Sequence, residues 1–287
     1  MMDPQKRAAA LAEALPYLKE YNGEVVVVKY GGNAMIDDAL KTAVIEDVLM
    51  LHLVGIHVVL VHGGGPDINR MLKKSNIESH FVNGLRYTDA ETMEIVQMVL
   101  CGKVNKDLVS RLDGKGIGIG GMDGNLFQAV PLEDEEFDYG YVGDIVSVNS
   151  SLVKDVIEKG YIPVVSSVAA GLEDGHSYNV NADTAASKLA GALHAKKLIL
   201  LTDIAGLLAD PNDPDSLIDV IKVSQIPALE NTGVISGGMI PKVECCVEAV
   251  RQGVSRASII DGRIPHSILI ELLTNAGIGT MFCQEEI

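Results

Sequence analysis

The chain has 287 residues, a formal net charge of −16 and 4% aromatic residues, with no tryptophan. This composition argues against nucleic-acid binding, which usually relies on basic patches and stacking rings. Hydrophobic residues make up 47% of the chain, enough for a large core, but no apolar run reaches the roughly 20 residues of a membrane-spanning helix. If the ligands are anions, the site has to supply its own positive charges.

The amino-terminal segment predicts a helix that precedes the first strand. Asp3 is suited to the N-cap and Pro4 to the first helical position, whereas Pro16 should kink the helix. An apolar stripe at helical spacing packs either on a partner subunit or on the helix's own lobe. The stripe consists of Ala8, Leu11, Leu15 and Leu18.

Short apolar runs alternate with helical patterns through the rest of the chain. Strands buried on both faces are predicted at 25–29, 58–61, 162–166, 198–202 and 257–260. Helices are predicted at 39–54, 90–112, 151–159 and 265–275, with an antiparallel excursion over 126–148. This alternation indicates the α/β fold class with a mostly parallel sheet. The four cysteines show no CxxC pair or zinc spacing, and the amino terminus lacks a signal peptide, so a cytoplasmic protein with reduced thiols is expected.

The stretch HVVLVHGGGPDINR, residues 57–70, joins a strand to a helix through three consecutive glycines. Backbone N–H groups and a helix N-terminus then converge where no side chain intervenes, which favours a phosphate or another anion. A plain tight turn is the alternative, although it would need one glycine rather than three. Residues 116–121, GIGIGG, match GxGxxG but open no helix, so a dinucleotide site is not expected there.

Two lysines stand beside glycine pairs in opposite halves of the chain. Lys29 ends the first strand before Gly31-Gly32, and Lys242 begins a helix after Gly237-Gly238. Ligands of open α/β sheets bind outside the carboxyl ends of the strands, so these lysines could converge there. Each could instead be an ordinary surface lysine. Further candidates for this rim are Asp183, which could be a first-turn carboxylate, and Asp203, which could be a cap.

Six motifs together resemble the amino-acid kinase family, within it the branch that phosphorylates N-acetyl-L-glutamate. They are VVVVKYGG from 25, VVLVHGGGPDIN from 58, NGLRYT from 83, YNVNADTAA from 178, LLTDIAGLL from 200 and GGMIPK from 237. The resemblance implies a three-layer αβα sandwich. It also implies an oligomerisation helix at 1–22, an amino-acid lobe at 23–194 and an ATP lobe at 195–287.

The resemblance also implies roles for individual residues, with ATP and Mg²⁺ as cofactors and no metal ligand from the protein. Lys29 and Lys242 would contact the transferring phosphoryl group, and Asp183 would position both lysines. The residues that would bind the acylated amino acid and the phosphoryl group are Gly64, Gly65, Arg86, Asn179 and Asn181. The residues that would bind ATP are Gly31, Gly32, Asp203, Gly237, Gly238 and Met239.

The two ends of the chain resemble those of arginine-sensitive family members. The implied inhibitor, L-arginine, would contact Tyr21, His266, Glu271 and Gly277, and the implied assembly is a hexamer built as a trimer of dimers. Two other functions stay open at this point. One is a sister kinase for another carboxylate, such as an aminoadipate derivative, because one methylene of pocket length is invisible in a sequence. The other is a catalytically silent sensor of nucleotide or amino acid.

Overall fold

The computed structural model describes residues 4–35, 37–275 and 277–284, so the predicted cap Asp3 lies outside the described residues. Strands and helices alternate along the chain as the sequence predicts. The α-helices are α1 (Pro4–Glu13), α2 (Leu15–Tyr21), α3 (Asp38–Leu53), α4 (Gly65–Lys74), α5 (Ala90–Gln97), α6 (Asn105–Ser110), α7 (Ser151–Glu158), α8 (Ala182–Leu193), α9 (Ile226–Asn231), α10 (Ile240–Arg251) and α11 (Ser267–Leu273). The strands are β1 (Val25–Tyr30), β2 (His57–His62), β3 (Phe81–Val82), β4 (Leu85–Arg86), β5 (Gly116–Gly120), β6 (Phe127–Pro131), β7 (Gly143–Val148), β8 (Ile162–Ser166), β9 (Val168–Gly171), β10 (Ser177–Asn179), β11 (Lys197–Thr202), β12 (Val220–Lys222), β13 (Arg256–Asp261) and β14 (Thr280–Cys283).

The central sheet has the strand order β12-β14-β13-β11-β1-β2-β8-β5. Its neighbouring strands are parallel except for the antiparallel pair β13–β14. The predicted mostly parallel sheet is therefore confirmed. Because β11 pairs with β1, the sheet runs without a break from the amino-terminal to the carboxyl-terminal half of the chain.

Alternate residues of the central strands face two separate apolar cores. Val27 of β1 packs in one core with residues of α7, α8 and α10. Val26 and Val28 pack in the other core with residues of α3, α4 and α11. A parallel sheet needs both faces covered, because its strands are apolar on both sides. The helical layers on the two faces make the αβα sandwich.

Smaller β elements lie outside this sheet. The antiparallel pair β6–β7 forms the predicted excursion and joins β9 and β10 in a four-stranded sheet. The strands β3 and β4 form a separate hairpin, and its two-residue turn is Asn83-Gly84. Both turn residues have positive φ, 48° and 80°, the conformation that makes Asn-Gly a strong hairpin signal.

Two helical predictions need correction, and the predicted interruption near Pro16 is observed. The single helix predicted over 90–112 is divided into α5, a π-helical segment at Met98–Val104, and α6. The kinked amino-terminal helix is divided into α1 and α2, with Pro16 in the first turn of α2, where its missing N–H costs no hydrogen bond. The helix predicted over 265–275 is the shorter α11. None of the described helices is long and apolar enough to cross a membrane.

A buried ion pair ties β11 to α11. Lys197 Nζ lies 2.7 Å from Glu271 Oε1, and the two side chains are 3% and 5% exposed. Burial lowers the pKa of Lys197. Burial would raise the pKa of Glu271, but the charge of Lys197 and the hydrogen bonds that the carboxylate accepts together outweigh it, and the pKa falls. Each group therefore depends on the other to compensate its buried charge.

We expect Glu271→Gln to lower the free energy of unfolding by about 3 kcal/mol or more, because it leaves the Lys197 ammonium buried without a countercharge. The double variant Lys197→Met/Glu271→Leu removes both charges, so it should lower the free energy of unfolding clearly less than Glu271→Gln does. Urea unfolding curves of the three proteins measure the difference. A single variant no less stable than the double one would contradict the structural role of the pair.

Candidate active site

Two glycine turns lie side by side at the carboxyl edge of the central sheet. The strands β1 and β2 are parallel neighbours, and their last residues, Tyr30 and His62, are paired in register. Gly31-Gly32 therefore follows one strand directly beside the place where Gly63 follows the other. The helix α4 begins at Gly65, so its N-terminus opens onto the same edge. Unpaired N–H groups and the helix dipole make this edge favourable for an anion.

Gly64 is required by close packing rather than by backbone conformation. A Cβ at Gly64 would stand 2.7 Å from Leu100 Cδ2 and 3.1 Å from Val104 Cγ2, both in the π-helical segment. Within the described residues, the N–H groups of Gly64 and Gly65 have no protein acceptor. They stand next to the cavity described below and can bind a ligand oxygen.

A single buried carboxylate bridges the two lysines. Asp183 Oδ1 lies 2.8 Å from Lys29 Nζ and Asp183 Oδ2 lies 2.9 Å from Lys242 Nζ. Lys29 comes from β1, Asp183 from the first turn of α8 and Lys242 from the first turn of α10. The structure thus brings together three residues from distant parts of the sequence, and the ammonium groups border the glycine turns.

Within the triad of Lys29, Asp183 and Lys242, the opposite charges offset the effect of burial on one another's pKa. Burial would raise the pKa of Asp183, but Lys29 and Lys242 outweigh it and hold the pKa at about 2. Burial would lower the pKa of Lys242, but Asp183 outweighs it and the pKa rises. The carboxylate and the Lys242 ammonium are therefore ionised at neutral pH. The cluster keeps a net positive charge in an otherwise acidic protein.

Arg86, the last residue of β4, borders the same cavity as Lys29 and Lys242. Its side chain is buried and donates hydrogen bonds to Asn69 Oδ1, at 2.6 Å, and to Ser79 Oγ. The guanidinium carbon lies 4.7 Å from the centre of the Phe81 ring. Burial lowers the pKa of Arg86, and no described carboxylate forms an ion pair with it. It is a positioned cation suited to a carboxylate of a ligand.

The two predicted asparagines have different tasks in the structure. Asn179 Nδ2 donates to Thr88 Oγ1 at 3.1 Å, and its side chain borders the site from β10. Asn181 is the N-cap of α8, and its Oδ1 accepts from the N–H groups of Asp183, at 2.8 Å, and Thr184. Asn181 therefore fixes the helix turn that carries the bridging carboxylate.

These residues enclose a cavity of about 300 Å³. A second, larger groove of about 1140 Å³ adjoins it along α8 and α10 and shares Asp183 and Lys242 with it. The cavity brings together the predicted Lys29, Gly31, Gly32, Gly64, Gly65, Arg86, Asn179, Asn181, Asp183 and Lys242. The groove is lined by the predicted Gly237 and Gly238.

Two predicted nucleotide residues lie at the margin of this arrangement. Asp203 follows β11, is exposed, and its charge contributes to raising the pKa of Lys242. Met239 packs against one of the cores and lines neither the cavity nor the groove.

The four residues predicted for an inhibitor lie outside both the cavity and the groove. Tyr21 is buried, and burial raises its pKa to about 12. His266 Nδ1 lies 2.6 Å from Asp47 Oδ1. Gly277 has a φ of +58°, and a Cβ there would stand 3.3 Å from Glu271 Oε2. Glu271 itself is engaged by Lys197.

Sequence reasoning missed several residues that line the cavity or hold the Arg86 side chain. Asn69 could have been found, because it follows Gly65 by four residues on α4 and therefore shares its helix face. Ser79 and Phe81 precede the hairpin and gave no signal of their own. Leu100 reaches the site through the π-helical segment, whose position a helical pattern does not reveal.

Comparison with known proteins identifies the family of this chain. The sequence model of the amino acid kinase family matches residues 24–261 of this chain. Acetylglutamate kinase from Clostridium beijerinckii is 55% identical over 98% of this chain and 99% of its own length. The enzyme of the same name from Clostridioides difficile is 51% identical, with 98% of each chain covered.

Among solved structures, N-acetylglutamate synthase from Neisseria gonorrhoeae, complexed with coenzyme A and N-acetyl-glutamate, superposes with a TM-score of 0.84 at 25% identity. The superposition covers 98% of this chain and 64% of that protein. Carbamate kinase from Giardia lamblia bound to AMP-PNP has a TM-score of 0.66 at 18% identity and shares the fold. The chain belongs to the amino acid kinase family. Within that family, identity above half over nearly the whole length places it among the acetylglutamate kinases.

We expect Asp183→Asn to lower the pKa of Lys242 below its ordinary value, because burial then acts without the opposing carboxylate. The measurement is NMR of reductively ¹³C-methylated lysines, titrated with pH. Asp203→Asn is the matched control, since Asp203 is exposed and contributes less to the pKa of Lys242. An equal change in both variants would contradict the bridging role of Asp183.

Proposed function

We propose that this protein transfers the γ-phosphoryl group of ATP to the side-chain carboxylate of N-acetyl-L-glutamate, giving ADP and N-acetyl-L-glutamyl 5-phosphate, an intermediate of arginine biosynthesis. The observation that carries the proposal is a single cavity lined both by the carboxylate-bridged lysine pair and by the buried cation Arg86. A ligand with two carboxylates could pair one of them with Arg86 and bring the other to the lysines.

The reaction needs no general base, because a side-chain carboxylate is already ionised at neutral pH. An oxygen of the acceptor forms a bond to the γ-phosphorus while the bond from that phosphorus to the bridging oxygen of ADP breaks, and no proton is transferred. The obstacle is the repulsion between two anions. Lys29 and Lys242 reduce it by placing ammonium groups where negative charge spreads in the transition state.

The glycine turns complement the lysines. The N–H groups of Gly64 and Gly65, with those of Gly31 and Gly32, would donate to oxygens of the transferring group. Rigid donors need no reorganisation during the reaction, so their contribution is larger than that of water. Asp183 does not react in this scheme. It keeps the two ammonium groups in position before substrate arrives.

Mg²⁺ would be held chiefly by the phosphates of ATP. In the described part of the chain, no cluster of three or more His, Cys, Asp or Glu residues could hold a metal ion, and both oxygens of Asp183 are engaged by lysines. Mg²⁺ commonly keeps several waters and binds through substrate phosphates, so this donor set fits it. When bound, the ion would neutralise further phosphate charge.

The two substrates would divide the site between them. Arg86 would bind the α-carboxylate of the amino acid through its planar fork, and Asn179 would bind its acetylated amide. The nucleotide would occupy the larger groove, next to Gly237 and Gly238, with Asp203 and Met239 at its margin. This assignment follows the division into an amino-acid lobe at 23–194 and an ATP lobe at 195–287.

The decisive experiment is an ATP-dependent hydroxamate assay, which traps acyl phosphates. N-acetyl-L-glutamate should give product, whereas glutamate, N-acetylaspartate and N-acetylaminoadipate should give at least about tenfold less, because one methylene or a missing acyl group changes the fit. A preference for N-acetylaminoadipate would assign the sister activity. Absence of product with all four acceptors, while ATP still binds, would assign a silent sensor.

The variant Arg86→Lys keeps the charge but loses the planar fork, so in the same assay it should raise the KM for the acceptor by about tenfold or more. The KM for ATP should stay within about threefold of the parent value. A raised KM for ATP with an unchanged KM for the acceptor would show that Arg86 binds the nucleotide instead of the acceptor.

We also propose feedback inhibition by L-arginine in a cytoplasmic hexamer, a trimer of dimers. Leu11 and Leu15 of the amino-terminal helices are 69% and 52% exposed, an apolar surface available to another subunit. Tyr21, at the end of α2, lies close enough to Arg256 and Glu271 for their charges to influence its pKa. Arginine would have to share the Glu271 carboxylate with Lys197, beside His266 and Gly277. The free state of all four cysteines is in keeping with the cytoplasm.

We expect the full chain to be inhibited by L-arginine and to elute as a hexamer. A chain starting at Asn22 should elute as a dimer and lose most of its sensitivity, because the predicted oligomerisation helices are gone. Activity with and without arginine, together with light scattering, tests both points. A full chain that resists saturating arginine, or that elutes at the size of the shortened chain, would refute the proposal.

A further inference from the structure

A chain of buried polar groups continues from the glycine turn into the interior. His62 Nδ1 lies 2.9 Å from the carbonyl oxygen of Gly63, and His62 Nε2 lies 3.1 Å from Asn105 Nδ2. The imidazole is fully buried, and burial lowers its pKa to about 4. It is therefore neutral at neutral pH, with one nitrogen that donates and one that accepts.

The neighbours of Asn105 determine which nitrogen carries the proton. Asn105 Nδ2 also donates to the carbonyl oxygen of Val164 at 2.8 Å, and Asn105 Oδ1 accepts from Lys106 Nζ at 3.1 Å. A carbonyl can only accept and an ammonium can only donate, so the amide has one possible orientation. Its second N–H points to His62 Nε2, which must accept. Nδ1 therefore carries the proton and donates to Gly63.

This hydrogen bond fixes the peptide between Gly63 and Gly64. The peptide is trans, so its carbonyl and its N–H point in opposite directions. With the Gly63 carbonyl held toward the interior by His62, the Gly64 N–H points away from the interior, where both glycines border the cavity. The N–H of Gly63 is held separately by the Tyr30 carbonyl at 3.1 Å.

The neighbouring strand leaves room for this network. A Cβ at Gly118 of β5 would stand 1.9 Å from Asn105 Oδ1 and 2.4 Å from Lys106 Nζ. Gly118 belongs to the GIGIGG run, whose glycines open no helix N-terminus. Its lack of a side chain admits the Asn105 amide between β5 and the helix end.

We propose that His62, oriented by Asn105, is a positioning residue that aims the Gly64 N–H at the transferring phosphoryl group. The inference rests on the proposed phosphoryl transfer and adds a residue to it. His62 does not line the cavity, so it acts through the backbone rather than by contact with substrate. Its protonation would remove the acceptor that Asn105 needs and disturb the turn.

The test compares two substitutions that each keep one half of the imidazole. In His62→Asn the amide nitrogen stands near the Nδ1 position and can still donate to Gly63. In His62→Gln the amide stands near the Nε2 position and faces Asn105, so the bond to Gly63 is lost. We expect His62→Gln to lower kcat by about 10- to 100-fold, less than the outright loss of a donor, with both KM values within about threefold. The kcat of His62→Asn should be at least about fivefold higher than that of His62→Gln.

Thermal unfolding separates positioning from simple packing. Both variants should lose a similar amount of Tm, because both replace a fully buried ring by a smaller side chain. Equal kcat in the two variants, or kcat that follows Tm rather than the bond to Gly63, would overturn the proposal.

A readout independent of catalysis distinguishes failure of this inference from failure of the proposed function. In ¹⁵N-histidine NMR of the unmodified protein, His62 should show a protonated Nδ1 and an unprotonated Nε2. The opposite tautomer would overturn the inference even in a fully active enzyme. The expected tautomer in a protein without phosphoryl-transfer activity would support the hydrogen bond and reject its catalytic role.

Discussion

The bridging carboxylate of Asp183 is the interaction on which the rest of the site depends. Two ammonium groups cannot be held close together in a partly buried site without a countercharge between them. Asp183 supplies that charge, and its own burial is tolerated only because both lysines are present. The Asn181 cap fixes the helix turn from which Asp183 projects, so a local backbone motif determines where both lysines stand.

The parallel sheet explains why this carboxylate can reach both halves of the chain. The pairing of β1 with β11 places the two halves in one continuous sheet, and α8 and α10 cover the same face of it. The first turns of both helices then meet above the end of β1, where Lys29 lies. The site is thus a consequence of strand order, which brings together residues separated by more than two hundred positions in the sequence.

Much of this arrangement is predictable from the sequence. The apolar runs predict the central strands, and lysines beside glycine pairs predict a positive edge because carboxyl ends of parallel strands share one side of a sheet. The detailed contacts are not predictable in the same way. Phe81 and Ser79 contact Arg86 only because the hairpin folds back on itself, and no local pattern encodes that contact. The π-helical segment escapes prediction because its apolar spacing differs little from that of an α-helix.

The same segment shows why the glycines cannot be understood one at a time. Leu100 and Val104 fill the space where Gly64 lacks a side chain, and Asn105 follows immediately as the first residue of α6. The wider turn of the π-helix thus presses two apolar side chains against the glycine from one side. One residue later, the chain supplies the amide that orients His62 on the strand before that glycine. Shape and hydrogen bonding therefore act on the same peptide from adjacent residues, and together they hold its N–H donor in place.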